Sequence, residues 1–143
     1  MTSLSKHFTL DELTVTDHRE FDNSPTQEEI SNLQRLAQLL EQVKEAIGGK
    51  PVMINSAFRC KKVNDAVGSK DTSQHRHGCA ADLRVPGMTP DEVVRAVIAA
   101  GLPYDQIIRE FDRWTHISIA NTEDAEPRGV ALIIDKAGTR PFA

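Results

Sequence analysis

The longest regular pattern in the chain is a series of apolar residues at helical spacing. These residues are Ile30, Leu33, Leu36, Leu39, Leu40, Val43 and Ile47. Ser24 or Thr26 can cap the helix at its start, and Gly48–Gly49 ends it. The pattern therefore predicts a long amphipathic helix that packs its apolar face on a sheet.

Three shorter segments are also predicted to be helical. Thr89 caps a second amphipathic helix, which has two acidic residues in its first turn and ends at Gly101. Single short helices are predicted at residues 10–13 and 60–67. We expect the helices to cover one side of the sheet.

Short runs in which apolar and polar residues alternate predict the strands of that sheet. They are residues 51–56, 80–85, 107–111, 114–120 and 129–135, and the last eight residues are expected to form a loose tail. Strands and helices mix without a strict strand–helix–strand rhythm. This favours an α+β fold with a mostly antiparallel sheet, helices packed on one face and a cleft on the other.

Composition restricts the class of protein. The chain has 143 residues, of which 39% are apolar and 27% charged, which fits one folded domain over 1–143 and argues against disorder. The net charge of −4 without a basic block argues against a nucleic-acid partner. No membrane span or signal-peptide pattern is present, so we expect the protein to be made in the cytoplasm. We also expect a monomer.

Three ionisable residues occur where the predicted strands could meet. Asp82 and His116 lie on the polar faces of two strands, so they project from one sheet face if those strands are neighbours. His75 precedes the first of these strands, in a loop that Gly78 allows to fold back. Two imidazole nitrogens and one carboxylate oxygen are a common ligand set for catalytic Zn²⁺. We therefore predict a Zn²⁺ site in the cleft.

Each of these residues also has an ordinary interpretation. A histidine in a loop is usually solvated, an aspartate at the start of a strand is often a capping residue, and His116 could be a core histidine bonded to a carbonyl. His77 and Cys79 are rival ligands by position. The two cysteines, Cys60 and Cys79, are too few for a disulfide scaffold, and both are expected to be ordinary thiols. The metal prediction depends on the cost of placing ionisable groups on apolar strands without a partner.

The same residues resemble a known family. Ser73-x-His75-x-x-Gly78-x-Ala80-x-Asp82, followed by Trp114-x-His116, resembles the zinc peptidases related to D-alanyl-D-alanine carboxypeptidases and L-alanyl-D-glutamate endopeptidases. The short members common in bacteriophages and prophages are especially similar, and the resemblance extends to residues 8–13 and 54–59. The hedgehog signalling domain shares the zinc constellation.

The resemblance implies roles for further residues. Glu110 lies six positions before His116, where phage-type members and the hedgehog domain carry an acidic residue, and is the expected general base. Many carboxypeptidase relatives instead carry a glutamate three positions before the histidine, where this chain has Arg113. A two-residue turn between the strands would turn Glu110 away from the metal, so its role requires a wider loop or a bulge. Asp112, in that turn, is the alternative base.

The resemblance also implies a substrate. Arg59 is expected to stabilise an oxyanion or bind a carboxylate, while Ser73 and Trp114 contribute to substrate binding. The implied function is zinc-dependent hydrolysis of a peptide bond in peptidoglycan stem peptides, after release from the cell or within a virion. The alternative is a non-catalytic zinc-binding domain that serves as a virion structural or binding component.

Overall fold

A six-stranded mixed sheet forms the centre of the computed structural model, which describes residues 2–142. Its strands are β1 Met53–Ser56, β2 Ala80–Arg84, β3 Gln106–Glu110, β4 Trp114–Ser118, β5 Val130–Asp135 and β6 Gly138–Pro141. The order across the sheet is β1-β2-β4-β3-β5-β6. Only the β3–β5 pairing is parallel among these strands. The predicted α+β fold with a mostly antiparallel sheet is confirmed.

Four α-helices accompany the sheet within the described residues. They are α1 Leu10–Leu13, α2 Gln27–Ala46, α3 Lys61–Ala66 and α4 Pro90–Ala99. Three of them begin with a capping box, in which a threonine and a glutamate three residues later each bond the other's backbone N–H. Thr26, rather than Ser24, caps the long helix. At these three helix starts, the threonine and glutamate side chains therefore satisfy backbone N–H groups, as expected for a capping box.

The hydrophobic core lies between the helices and one face of the sheet. The sheet supplies Leu83, Ile107 and Ile117, each at most 1% exposed. Helices α2 and α4 add side chains that are buried almost completely: Leu33, Leu36, Leu40, Val93, Val94 and Val97. Because successive residues of a strand point to opposite faces, the residues between these core positions project from the other side of the sheet.

The prediction that the last eight residues form a loose tail is wrong for residues 138–141. They form β6, which pairs with β5 in an antiparallel hairpin. The Asp135 carboxylate holds the turn by accepting hydrogen bonds from the Ala137 backbone N–H and from Arg140. All four β6 residues are exposed, so the strand lacks the alternation by which the other strands were recognised. Residue 143, also part of the expected tail, lies outside the described residues.

None of the helices in residues 2–142 is both long and apolar enough to cross a membrane.

Candidate metal centre

His75, Asp82 and His116 converge on the sheet face opposite the helices. Each offers one ligand atom, and these three atoms lie within 4.8 Å of one another. Asp82 on β2 pairs directly with His116 on β4, so both side chains leave the same face. The His116 Nδ1 lies 2.9 Å from Asp82 Oδ1, and the His75 Nε2 lies 3.4 Å from the same oxygen. The structure thus brings together the three residues that the sequence singled out.

A short 3-10 turn, Gln74–His77, carries His75 to this face. The Ser73 hydroxyl caps the turn by accepting a hydrogen bond from the His75 backbone N–H. Gly78 ends the turn in the left-handed region, at φ 78°. A Cβ at this position would lie 2.9 Å from the Glu29 carbonyl oxygen of α2, which is too close. Glycine is therefore required both by its backbone conformation and by its contact with the helix.

The backbone fixes which nitrogen of His75 faces the cluster. Its Nδ1 lies 2.8 Å from the Ala57 carbonyl oxygen, which can only accept, so Nδ1 carries the hydrogen. The other nitrogen, Nε2, then presents a lone pair toward the Asp82 carboxylate. A cation between these two electron-rich atoms would offset their repulsion. A metal-ligating histidine usually donates the N–H of its other ring nitrogen to a carbonyl or carboxylate, which is the arrangement of His75.

The protonation of the cluster suits metal ligation. Burial lowers the pKa of His75, which keeps its imidazole neutral. Burial opposes the charge of Asp82, but the adjacent His116 and His75 rings outweigh this effect and hold the pKa of that carboxyl well below its usual range. The side chains are only 5%, 12% and 11% exposed for His75, Asp82 and His116. Neutral imidazole and ionised carboxylate are the forms that bind Zn²⁺, so the donor set fits this ion.

Glu110 faces the cluster because the loop between β3 and β4 has three residues. The pairing is Glu110 with Trp114 and Ile108 with His116, which places Glu110 on the same face as His116. Phe111 and Asp112 in the loop both adopt φ 53°. The Glu110 Oε1 lies 4.0 Å from His116 Nδ1. The wider loop that the sequence required for this orientation is therefore present.

The surroundings of Glu110 raise the pKa of its carboxyl. Burial is the main cause of a raised pKa, and the Asp82 carboxylate adds to it. His116, Arg59 and the approach of the Trp114 indole act in the opposite direction. The buried Trp114 Nε1 nevertheless has no hydrogen-bond partner among residues 2–142. A carboxylate with a raised pKa beside a metal site is a candidate for proton transfer.

The remaining predicted residues lie at different distances from the cluster. The Arg59 guanidinium lies 3.5 Å from Asp82 Oδ2 and donates to Ser56 Oγ, so it borders the cluster. Trp114 is half-buried two positions before His116 on the same strand face. Asp112 forms an ion pair with Arg109, 3.0 Å apart, and is not brought to the cluster.

The rival ligands that the sequence suggested are not part of the cluster. The His77 side chain is exposed. Cys79 is buried, Cys60 is half-buried, and both are free thiols. Among these candidates, only His75 joins the Asp82–His116 pair.

Two supporting networks were not predicted. Asn23 accepts from the Cys60 N–H and donates to the Thr14 and Phe58 carbonyls, which fixes the loop that carries the Ala57 carbonyl. On the other side of the 3-10 turn, the Gln74 amide donates to Asp105, whose carboxylate also accepts from Arg128. The partners are distant in sequence, and no local pattern marks them.

Comparison with known proteins gives two matches. A family model described as peptidase M15 matches residues 6–118, which is most of the chain. A zinc D-Ala-D-Ala carboxypeptidase from Streptomyces albus G is 41% identical over 44 residues. That segment is 31% of this chain and 17% of the relative, so the chain matches less than a fifth of the relative's length.

Proposed function

The chain belongs to the peptidase M15 family, and from this premise we propose that it is a zinc-dependent peptidase that hydrolyses a peptide bond in peptidoglycan stem peptides. One observation supports the proposal above all. His75, Asp82 and His116 offer a ligand set for one ion, and a fourth group, the Glu110 carboxylate, approaches from the same sheet face. Three protein ligands with an acid–base group beside them are typical of a catalytic rather than a structural zinc site.

His75 would hold the ion through Nε2, His116 through Nδ1 and Asp82 through its carboxylate, because these are the atoms that face one another. When bound, zinc supplies a Lewis acid that makes a water molecule more acidic and polarises a carbonyl. Asp82 is aligned by Arg59, and His75 is aligned by the Ala57 carbonyl. The ligands are thus oriented before any ion arrives, which reduces the cost of binding.

Glu110 would take the proton from the attacking water and return it to the leaving amine. Its carboxylate lies on the cluster side of β3, and its raised pKa makes it a better base than an exposed glutamate. Arg59 keeps its charge and has only two described partners, Ser56 and Asp82, so it has donors left for a developing oxyanion. Trp114 would form a wall of the substrate cleft beside His116.

The choice of substrate is supported by resemblance. The matching relative is by name a zinc D-Ala-D-Ala carboxypeptidase, and the segment that it shares with this chain is 44 residues long. The motif around His75 and Asp82 resembles that of carboxypeptidases and of L-alanyl-D-glutamate endopeptidases alike. We therefore propose a stem peptide as the substrate class and assign no single bond.

One observation favours a second candidate, a non-catalytic zinc-binding domain. Arg113 stands three positions before His116, where many carboxypeptidase relatives carry the glutamate that serves as base. The hedgehog domain resembles this chain in its zinc constellation. In that case zinc would bind, but the Glu110 carboxylate would serve only the local structure.

Two measurements on the same purified protein separate the candidates. Elemental analysis should find about one zinc per chain, and incubation with cell-wall sacculi should release new amino groups. Glu110→Gln should keep the zinc and abolish the release, whereas Glu126→Gln, on an exposed loop, should change neither. A wild-type protein that holds zinc and cleaves no wall preparation favours the second candidate.

A further inference from the structure

A pocket of about 570 Å³ lies at one end of the sheet. It is lined by residues 111–114 of the β3–β4 loop and residues 135–137 of the β5–β6 turn. The two turns are joined by the Phe111 backbone N–H, which donates to the Ile134 carbonyl at 2.8 Å. Trp114 belongs both to this pocket and to the strand face that carries His116. Trp114 is therefore the residue that connects the pocket to the face on which the metal centre lies.

The charges that line the pocket are not balanced. Its two acidic residues already have partners, since Asp112 pairs with Arg109 and Asp135 pairs with Arg140. Its two basic residues, Arg113 and Lys136, are exposed and form no ion pair or side-chain hydrogen bond with any residue in 2–142. The charge left available to a ligand is positive.

An aromatic surface accompanies these cations. The Phe111 side chain is 45% exposed, and its ring centroid lies 6.2 Å from that of Trp114. Phe111 also adopts φ 53°, a conformation that is costly for a bulky residue. Exposure and backbone strain together are unusual for a phenylalanine and are commonly found at ligand sites.

We propose that this pocket binds a carboxylate of the peptide substrate, with Arg113 and Lys136 as its partners and the Phe111 and Trp114 rings against the adjoining apolar atoms. Trp114 and His116 are two positions apart on one strand face, about 7 Å. An extended peptide advances about 3.5 Å per residue, so the carboxylate lies about two residues from the bond that is cut. This inference rests on the proposed function and adds a specificity for acidic peptides to it.

The test uses a stem-type tetrapeptide in four forms, with its D-Glu α-carboxylate free or amidated and its C-terminal carboxylate free or amidated. Trp114 is the single tryptophan of the chain, so its fluorescence reports binding next to the pocket. Binding is titrated with the zinc-loaded wild type, and hydrolysis of the same peptides is followed separately. Arg113→Gln and Lys136→Gln are compared with Lys6→Gln, which removes an exposed cation from a different surface.

Amidation of one of the two carboxylates should weaken binding to the wild type about tenfold, since two partly exposed ion pairs are worth about that factor. The penalty should fall to about threefold in Arg113→Gln and in Lys136→Gln, because each variant loses one of the two ion pairs, and it should stay about tenfold in Lys6→Gln. If neither amidation weakens binding, or if the full penalty remains in both pocket variants, the inference is wrong even where hydrolysis occurs. If the penalty appears without hydrolysis, the pocket assignment stands and the proposed peptidase activity fails.

Discussion

Asp82 and His116 face each other across neighbouring strands, with Asp82 Oδ1 2.9 Å from His116 Nδ1. Direct cross-strand pairing sets this distance, so the β2–β4 register, rather than a flexible loop, positions two of the three expected zinc ligands. Only His75 is delivered by a turn, and that turn is fixed at both ends. The fold therefore brings the three side chains together without a metal ion.

Removal of the shared carboxylate should abolish tight metal binding. In Asp82→Asn, the amide keeps the size of the side chain but lacks the charge that faces both imidazoles. We expect the affinity for zinc to fall by at least about 100-fold, because even supporting residues of metal sites cost 10- to 100-fold. Competition with a chromophoric chelator measures this change.

A suitable control for this variant is Asp65→Asn, which alters an exposed carboxylate paired with Lys61. It should bind zinc as the wild type does. Unchanged zinc affinity in Asp82→Asn would contradict the assignment of the centre.

Gly78→Ala should destabilise the fold and disturb His75. The new Cβ would meet the Glu29 carbonyl oxygen at 2.9 Å, and alanine is strained at φ 78°. We expect a loss of about 2–3 kcal/mol in the free energy of unfolding, measured by denaturant titration. Gly87→Ala offers a matched comparison, because Gly87 has a similar φ of 86° but nothing within 4 Å. It should lose only about 1 kcal/mol, so equal losses would exclude the contact with α2 as a cause.

The Asp105–Arg128 pair should make stability depend on pH. A hydrogen bond from Arg128 is the main cause of the lowered pKa of Asp105, whose side chain is 5% exposed. Because the folded-state pKa is lowered, the stabilisation is complete above the unfolded value of about 3.9 and is lost as the pH falls through the lower folded value. Asp105→Asn should thus cost about 2 kcal/mol at pH 7 and progressively less below pH 4.

Thermal unfolding of the wild type and of Asp105→Asn across pH 2–7 measures this difference. Asp135→Asn serves as the control. Arg140 lowers the pKa of Asp135 to about 2, but the pair lies on an exposed hairpin and should contribute little. A penalty for Asp105→Asn that did not change with pH would contradict the role of its charge.

Phe111→Gly should weaken peptide binding without lowering the free energy of unfolding. Glycine adopts φ 53° without strain, so we expect the free energy of unfolding to be unchanged or to rise by up to about 1 kcal/mol. Peptide binding should weaken, because the exposed ring beside Trp114 is lost. Asp112→Gly relieves the same backbone conformation and leaves the ring in place, although it also removes the exposed Asp112–Arg109 ion pair. Denaturant titration and Trp114 fluorescence, applied to both variants, distinguish strain from contact.

The sequence was sufficient for those parts of the fold that follow local rules. Alternation identified β2 and β4 and the faces of Asp82 and His116, Thr89 marked the start of α4, and the choice between Ser24 and Thr26 left the start of α2 open by two residues. The convergence of His75 with these residues also followed from the motif and from Gly78. Their roles as zinc ligands stay predictions.

The parts that could not be predicted depend on distant partners or on loop length. The facing of Glu110 depends on whether the loop after it has two or three residues, since a shift of one residue in register turns every side chain to the other face. The Ala57 carbonyl that orients His75 is a backbone group with no sequence signal. Strand β6 is polar throughout, and only its pairing with β5 reveals it.

The position of Lys136 along the chain has a consequence for peptide preference. The segment that matches the family model ends at residue 118, the last residue of β4, and already contains all three residues of the metal cluster. Lys136 comes later, on the turn of the C-terminal hairpin. If the pocket binds the carboxylate as proposed, substitutions in the two-residue turn that carries Lys136 would alter peptide preference without changing the metal cluster.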